Sequence, residues 1–243
     1  MRAGFELLAR IGEPPEGPVY DLGCGTGEHA TALAERWPER EVVGVDRSPQ
    51  MLARARVRRS RVRWLEADLE RWSPPAEAAL IVSIAALQWL PEPARAMRAL
   101  FEGLRPGGVL AVEMPLNFDA PSHVLLRETA AEARWAERLA GRVRRPDVPD
   151  AATAYDLLAP VAAGRPDTWE TEYLHPLEGE DAVLRWVEGT ALTPVREALD
   201  RESYAAFAER YGARLREAYP RRSDGVTLFA FRRVFAIAAR RPA

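Results

Sequence analysis

Val19-Tyr20-Asp21-Leu22-Gly23-Cys24-Gly25-Thr26-Gly27, followed directly by the helix-forming run Glu28 to Trp37, reads as a buried strand, a glycine turn and a helix. Glycines at alternate positions let the backbone bend through positive φ and let a ligand approach without meeting a Cβ. The spacing here is G-x-G-x-G. A dinucleotide-binding turn is written G-x-G-x-x-G and carries a pyrophosphate over the helix N-terminus. An acid, Asp21, also stands in the strand ahead of Gly23, where it can hold the turn or face a cation. The stretch therefore favours a ligand bearing an ammonium and a sulfonium over one bearing a pyrophosphate. Glycine turns recur in many α/β folds, so the residues that follow carry the next step.

Glu41 to Asp46 reads as a second buried strand ending in an acid. In a strand-helix-strand unit Asp46 falls at the carboxyl end of the neighbouring strand, where a carboxylate can accept from both hydroxyls of a ribose. Ser48-Pro49 is an N-cap followed by proline at the first helical position, opening a helix over Gln50 to Arg59. Val62 to Leu69 is expected to be a third strand leading to Asp68, placed to accept from an adenine amino group while Leu69 or Met51 covers the ring. Either acid alone reads equally well as a helix cap or a solvated turn. Both at successive strand ends behind a glycine turn repeat the logic of a nucleoside site.

Upstream, Phe5, Leu7, Leu8 and Ile11 form one apolar face of a short helix, ended by the break Pro14 to Pro18. Downstream, Ala79 to Ile84 is a continuous apolar strand running into Ala85-Ala86-Leu87-Gln88-Trp89-Leu90, and such a run suits a parallel strand covered on both faces. A helix from Pro91 to Gly103 and a strand from Val109 to Glu113 follow. The alternation predicts an α/β fold with a doubly wound, mostly parallel sheet whose ligand crevice lies at the strand carboxyl ends. From Met114 the pattern changes: a proline-broken loop, a long helix over Val124 to Leu139, a short helix around Tyr155, a sixth strand over Asp167 to Leu177, helices over Asp181 to Glu188 and Arg201 to Tyr219, and a last strand over Val226 to Ala238. The organisation expected is one domain over residues 1–243, with a seven-stranded core (about 17–114, 166–177 and 226–238) and a helical cap from insertions at about 115–165 and 180–222.

At 243 residues with formal charge −2, the chain is long enough for one sizeable α/β core and short for two. All 34 basic side chains are arginine, a usage that reflects genome composition more than function, and no basic stripe interleaved with aromatics points to nucleic acid. The single cysteine, Cys24, excludes an internal disulfide and fits a reducing compartment. There is neither an apolar leader nor a membrane-length apolar run, so the expectation is a cytoplasmic monomer. No His, Cys and acid cluster has metal spacing. Trp64, Trp72 and Trp186 are read as packing residues, and His29 as a surface residue.

The stretch Asp21 to Gly27 resembles the first motif of class I S-adenosylmethionine-dependent methyltransferases, D-x-G-x-G-x-G, and Asp68-Leu69 resembles their adenine motif. The resemblance implies S-adenosyl-L-methionine as cofactor, held by Asp21, Gly23, Gly25, Gly27, Asp46, Ser48, Met51, Asp68, Leu69, Ala85 and Trp89. Strings outside these motifs resemble the trans-aconitate 2-methyltransferase family: Ala85 to Leu90, Asn117 to His123, Trp169 to His175, Gly179 to Asp181, Gly189 to Leu192, Arg216 to Pro220 and Phe231 to Phe235. They span the chain from Leu7 onward.

The reaction this implies is methyl transfer to a carboxylate oxygen of a small polycarboxylate such as trans-aconitate. A carboxylate is already ionised at neutral pH, so no general base and no catalytic side chain is assigned. Rate would come from alignment and exclusion of water. The non-reacting carboxylates need cationic partners, for which the candidates are Arg127, Arg196, Arg232 and Arg233, with His123, Tyr173 and His175 as hydrogen-bond partners. Three departures from the family are visible. Its usual start carries a further segment that folds over the cofactor, and this chain begins near that segment's end. Ile84 stands where the family has Asn. The family's K-G-T-x-L-R-P reads Glu188-Gly189-Thr190-Ala191-Leu192-Thr193-Pro194, losing two cations. The alternatives are a methyltransferase for another acceptor, such as an acyl-carrier-bound malonyl group, and a non-catalytic S-adenosylmethionine-binding module. An NAD-dependent oxidoreductase would need a third glycine one place later.

Overall fold

A computed structural model describes residues 2–242. Packing divides the chain into two units: the first holds residues up to Pro115, Pro146–Thr171 and the chain from Arg233 on, and the second holds Leu116–Arg145 and Glu172–Arg232. The stretch from Pro146 to about residue 165, expected in the cap, thus packs with the first unit.

In chain order the elements are α1 (Arg2–Arg10), β1 (Val19–Leu22), α2 (Glu28–Arg36), β2 (Val42–Asp46), α3 (Pro49–Arg56), β3 (Arg63–Glu66), β4 (Leu80–Ile84), α4 (Pro93–Gly103) and β5 (Val109–Pro115). Then come α5 (Pro121–Ala130), α6 (Ala136–Leu139), α7 (Ala151–Leu158), β6 (Asp167–Glu178), α8 (Ala182–Glu188), α9 (Thr193–Ala198), α10 (Arg201–Ala218) and β7 (Val226–Ala239). The strands form one seven-stranded sheet in the order β3-β2-β1-β4-β5-β7-β6. Strands β1 to β5 pair in parallel, and β7 runs antiparallel to β5 from Val109 opposite Ala239 to Pro115 opposite Arg233. This is the expected doubly wound, mostly parallel architecture.

Strands β1 and β4 are buried nearly throughout, as suits parallel strands covered on both faces, and Val19, Leu22, Leu80, Ile81 and Val82 are fully buried. The order reverses direction at β1, whose neighbours are β2 on one side and β4 on the other, so the crevice of the switch point opens at the carboxyl end of β1. Helix α3 starts where the sequence places its cap: Ser48 Oγ accepts from the Met51 N–H at 3.3 Å, with Pro49 at the first helical position.

The second unit has its own core, in which Leu126, Trp135, Leu139, Val187, Val195, Phe207, Tyr211 and Phe229 pack together. Helix α5 is fixed to α10 at its first turn, where Tyr219 Oη accepts from the Ser122 N–H at 3.0 Å and Tyr211 Oη donates to the Ser122 carbonyl at 2.8 Å.

Several boundaries differ from the expectation. The helix expected over Val124 to Leu139 is two helices, because the chain turns after Ala130 and buries Trp135 edge-on against Phe207, with ring centroids 5.1 Å apart. Nothing between Ala130 and Arg134 is a helix breaker, so packing overrides propensity there. Strand β3 is shorter than expected, and Asp68 and Leu69 lie in the turn beyond it. Helix α9 was not anticipated, although Thr193-Pro194 carries a helix-start signal.

Candidate active site

At the end of β1 the three glycines all have positive φ, and they differ in what a Cβ would meet. Gly23 (φ 73°) has no room for a Cβ, which would lie 2.2 Å from Ala86 Cβ. Gly27 (φ 82°) lies under the Trp64 ring, 2.4 Å from where its Cβ would be. Gly25 (φ 53°) faces open space. The first and third are glycines because the protein is packed against them. The middle one leaves open space where a side chain would stand.

Four amides of this turn are already engaged. Gly23 and Cys24 N–H groups donate to the Val45 carbonyl at 2.8 and 3.0 Å, the Gly27 N–H to the Cys24 carbonyl at 2.9 Å, and the Gly25 N–H to Asp46 Oδ2 at 2.8 Å. A dinucleotide turn instead aims such amides at phosphate oxygens. The charges nearby are also negative. Asp21 is 1% exposed, and its Oδ2 has no hydrogen-bond partner among the described residues. Burial raises its carboxyl from 3.8 to about 7, offset by the Ala30 amide and reinforced by Asp46. A buried carboxyl with one oxygen unpartnered, in the strand that leads into an open glycine turn, suits a cationic ligand group. Cys24 is buried in the turn, and burial, then Asp21 and Asp46, push its thiol up, so it packs as a small hydrophobe with no nucleophilic character.

Asp46 closes the turn from β2, with Oδ1 accepting from the Ser48 N–H at 2.8 Å while Oδ2 holds Gly25. Each oxygen keeps a second acceptor position for a ligand hydroxyl. Asp68 is exposed and accepts from the Glu70 N–H at 3.1 Å, an Asx-turn. Leu69 is half-buried, while Met51 and Trp89 present exposed apolar surface, Trp89 being 54% exposed. Ala85, directly after β4, is one of two non-glycine residues with positive φ (52°) among those described. His29 packs at a tilt against Phe5, with ring centroids 5.1 Å apart, and fills the space beside Gly4, more enclosed than expected.

Arg233 does not stand free for a ligand carboxylate. Its Nη1 lies 2.6 Å from Oε1 of Glu113, a 0% exposed acid on β5. Burial raises the Glu113 carboxyl, and Arg233 opposes that rise. Releasing Arg233 would leave a buried charge uncompensated, so its expected role in binding the acceptor is withdrawn.

In the second unit His123, Arg127 and Arg232 come together around Asn117 to Asp119. Arg127 donates to the Phe118 carbonyl at 2.7 Å, the Arg232 N–H donates to Asn117 Oδ1 at 3.3 Å, and Arg145 forks onto Asp119 at 2.8 and 2.7 Å. The Arg145 hydrogen bond, with Arg127 and Arg232 nearby, holds the Asp119 carboxyl below its usual range. Burial, with Arg127 adding to it, lowers His123 to about 4, so its imidazole is neutral at pH 7 and stands edge-on to Phe118, 5.3 Å away. Asn117 is buried, and its Nδ2 has no partner among the described residues. Of two other candidates, Tyr173 is buried, and His175 lies in aromatic packing, 4.7 Å from Trp186 and 6.3 Å from Phe231. Arg196 is exposed on α9, beside Tyr204, and does not join the cluster. Among the described residues no group of three or more His, Cys, Asp or Glu is placed to hold a metal ion, and no helix is long and apolar enough to cross a membrane.

Residues 19–108 match the methyltransferase domain family. The fold is shared with the YcgJ protein of Bacillus subtilis (TM-score 0.57, 17% identity, 99% of this chain and 98% of that one) and with phosphoethanolamine N-methyltransferase 2 of Haemonchus contortus (TM-score 0.51, 16% identity, 100% and 53%). Sheet, turn and domain match thus define a class I methyltransferase. At higher identity, the chain is 46% identical to trans-aconitate 2-methyltransferase of Azoarcus sp. (strain BH72), covering 98% of this chain and 93% of that one, and 47% identical to that of Streptomyces avermitilis, covering 96% and 89%. It belongs to the trans-aconitate 2-methyltransferase family.

Sequence reading did not single out Gln88, Glu113, Asn117 or Arg145. Glu113 had a usable signal, an acid inside the apolar run Val109 to Met114. Arg145 had none, since its partner Asp119 is remote in sequence.

Proposed function

We propose that this protein transfers a methyl group from S-adenosyl-L-methionine to a carboxylate oxygen of trans-aconitate or a closely related polycarboxylate. The observation that carries the cofactor half is the glycine turn: the amides of Gly23, Cys24, Gly25 and Gly27 are spent on the protein, Asp21 is buried with Oδ2 unpartnered, and the space a Gly25 Cβ would enter is open. A methionine ammonium fits that carboxyl, and ribose hydroxyls fit the remaining acceptor positions of Asp46. Met51 and Leu69 supply apolar cover for an adenine, with Asp68 as its polar contact. When bound, the cofactor supplies a methyl group on a sulfonium.

The acceptor half rests on Arg127 and Arg232 with the neutral His123 and the free amide of Asn117. Planar guanidinium groups bind carboxylates in two-point fashion, so these arginines hold the carboxylates that do not react. His123 is a hydrogen-bond partner, and no proton has to be removed because the acceptor is already ionised.

The test is isothermal titration with S-adenosylhomocysteine, followed by a methyl-ester screen over di- and tricarboxylates. Expected are binding and esterification of trans-aconitate ahead of dicarboxylates lacking the third carboxyl. Binding with no ester from any carboxylate would reject the acceptor reading while keeping the cofactor reading.

A further inference from the structure

Directly after β4 the chain makes an unusual turn. Ala85 adopts φ 52°, a left-handed conformation that strains any residue with a Cβ and persists only where surrounding contacts enforce it. Two hydrogen bonds do so. The Ala85 N–H donates to the Glu113 carbonyl at 3.0 Å, and the Ala85 carbonyl accepts from Gln88 Nε2 at 2.7 Å. The result is felt at the glycine turn: Ala86, the next residue, occupies the space in which a Gly23 Cβ would stand. Ser83 Oγ donates to the Leu22 carbonyl at 3.1 Å just below, fixing the two strand ends together.

Gln88 is 4% exposed. Burying a primary amide is unfavourable unless its hydrogen bonds are met. Yet its Oε1 has no partner among the described residues, and its one hydrogen bond is the one to Ala85. A leucine or methionine would fill the same volume without that cost. The amide is therefore explained by what it holds.

We propose that Gln88 is a positioning residue: its side-chain amide locks Ala85 in the left-handed conformation, which seats Ala86 against Gly23 and sets the shape of the hollow that receives the cofactor. This rests on the cofactor reading above. Gln88 acts through Ala85 and Ala86 and need not touch the ligand.

The test is a double-mutant cycle read as S-adenosylhomocysteine affinity by isothermal titration. Glycine adopts φ near 50° without steric strain, so it removes the need for the lock. Gln88→Leu in the natural background is expected to weaken binding about tenfold. In an Ala85→Gly background the same substitution is expected to weaken it about threefold or less. Gln88→Met is measured alongside and serves if the leucine variant does not fold. An equal loss in both backgrounds, or no loss in the natural one, would overturn the proposal. The natural protein is the control for the underlying reading: if it does not bind S-adenosylhomocysteine, the cofactor assignment fails, whereas binding by it together with the absence of coupling rejects Gln88 alone.

Discussion

At the glycine turn the groups that define the candidate site come from residues 21 to 27 and 46 to 48, and they are a missing Cβ and two carboxylates, with the backbone amides tying the turn together. In the second unit the groups gathered around Asn117 come from residues 117 to 127, from Arg145 and from Arg232, and each contact there involves a side chain. The first arrangement is held by strand ends and a capped helix, so its geometry follows from the local backbone. The second depends on α5 being fastened to α10 by Tyr211 and Tyr219, and on β7 delivering Arg232 from the far end of the chain. A turn of the first kind serves one ligand across a family, while a cluster of the second kind can be altered one side chain at a time.

Substitutions at the two places should therefore fail differently. The largest effect is expected for Gly25→Val: a β-branched residue at φ 53° costs roughly 1 to 3 kcal/mol in strain, and its side chain occupies the hollow. S-adenosylhomocysteine binding should fall at least about a hundredfold, the melting temperature dropping only modestly. Retained binding would place the ligand elsewhere. Next comes Arg127→Met, expected to raise the trans-aconitate KM by about ten- to a hundredfold, from the roughly 1.5 to 3 kcal/mol of a charged hydrogen bond, with cofactor affinity unchanged. A parallel loss of both would erase the distinction between the two places.

Asp21→Asn sharpens the comparison through pH. Because burial raises Asp21 from 3.8 to about 7, its protonated form favours the folded protein without cofactor. That contribution is complete below pH about 4 and is lost as pH rises through about 7. A cofactor ammonium favours the ionised form, so affinity should move the opposite way, strengthening as pH rises through the same interval. The asparagine variant should bind about tenfold more weakly at pH 8, with the difference shrinking below pH 6, and its melting profile should lose the corresponding slope. A pH-independent defect would remove the carboxylate from the ligand contact. Arg196→Ala is expected to do least: an exposed side chain outside the cluster should change stability by less than about 0.5 kcal/mol and leave both KM values unaltered.

How much of this could be read without coordinates varies with the range of the interaction. The strand-glycine-helix order, the acid ending β2 and the Ser48 cap are each encoded within a few residues and appear where expected. Asp68 was placed correctly in order but not in structure, because β3 ends at Glu66 and the acid organises its own turn. The long helix failed at Trp135, whose burial against Phe207 carries more weight than the helical propensity of the alanines before it. Arg233 illustrates the limit best. Its neighbour Arg232 has the same side chain and the same expected role, yet only Arg233 meets Glu113 across the antiparallel pair.

By itself, then, the amino-acid order settled the class of fold and the place of the glycine hollow, since strand periodicity, glycine spacing and capping act between residues close along the chain. The tertiary structure alone decided which arginines are already paired and that Asp21 is buried with one oxygen unpartnered. Those outcomes depend on which distant side chains share a low-dielectric space, where one ion pair or one orphaned carboxyl changes what a residue can do.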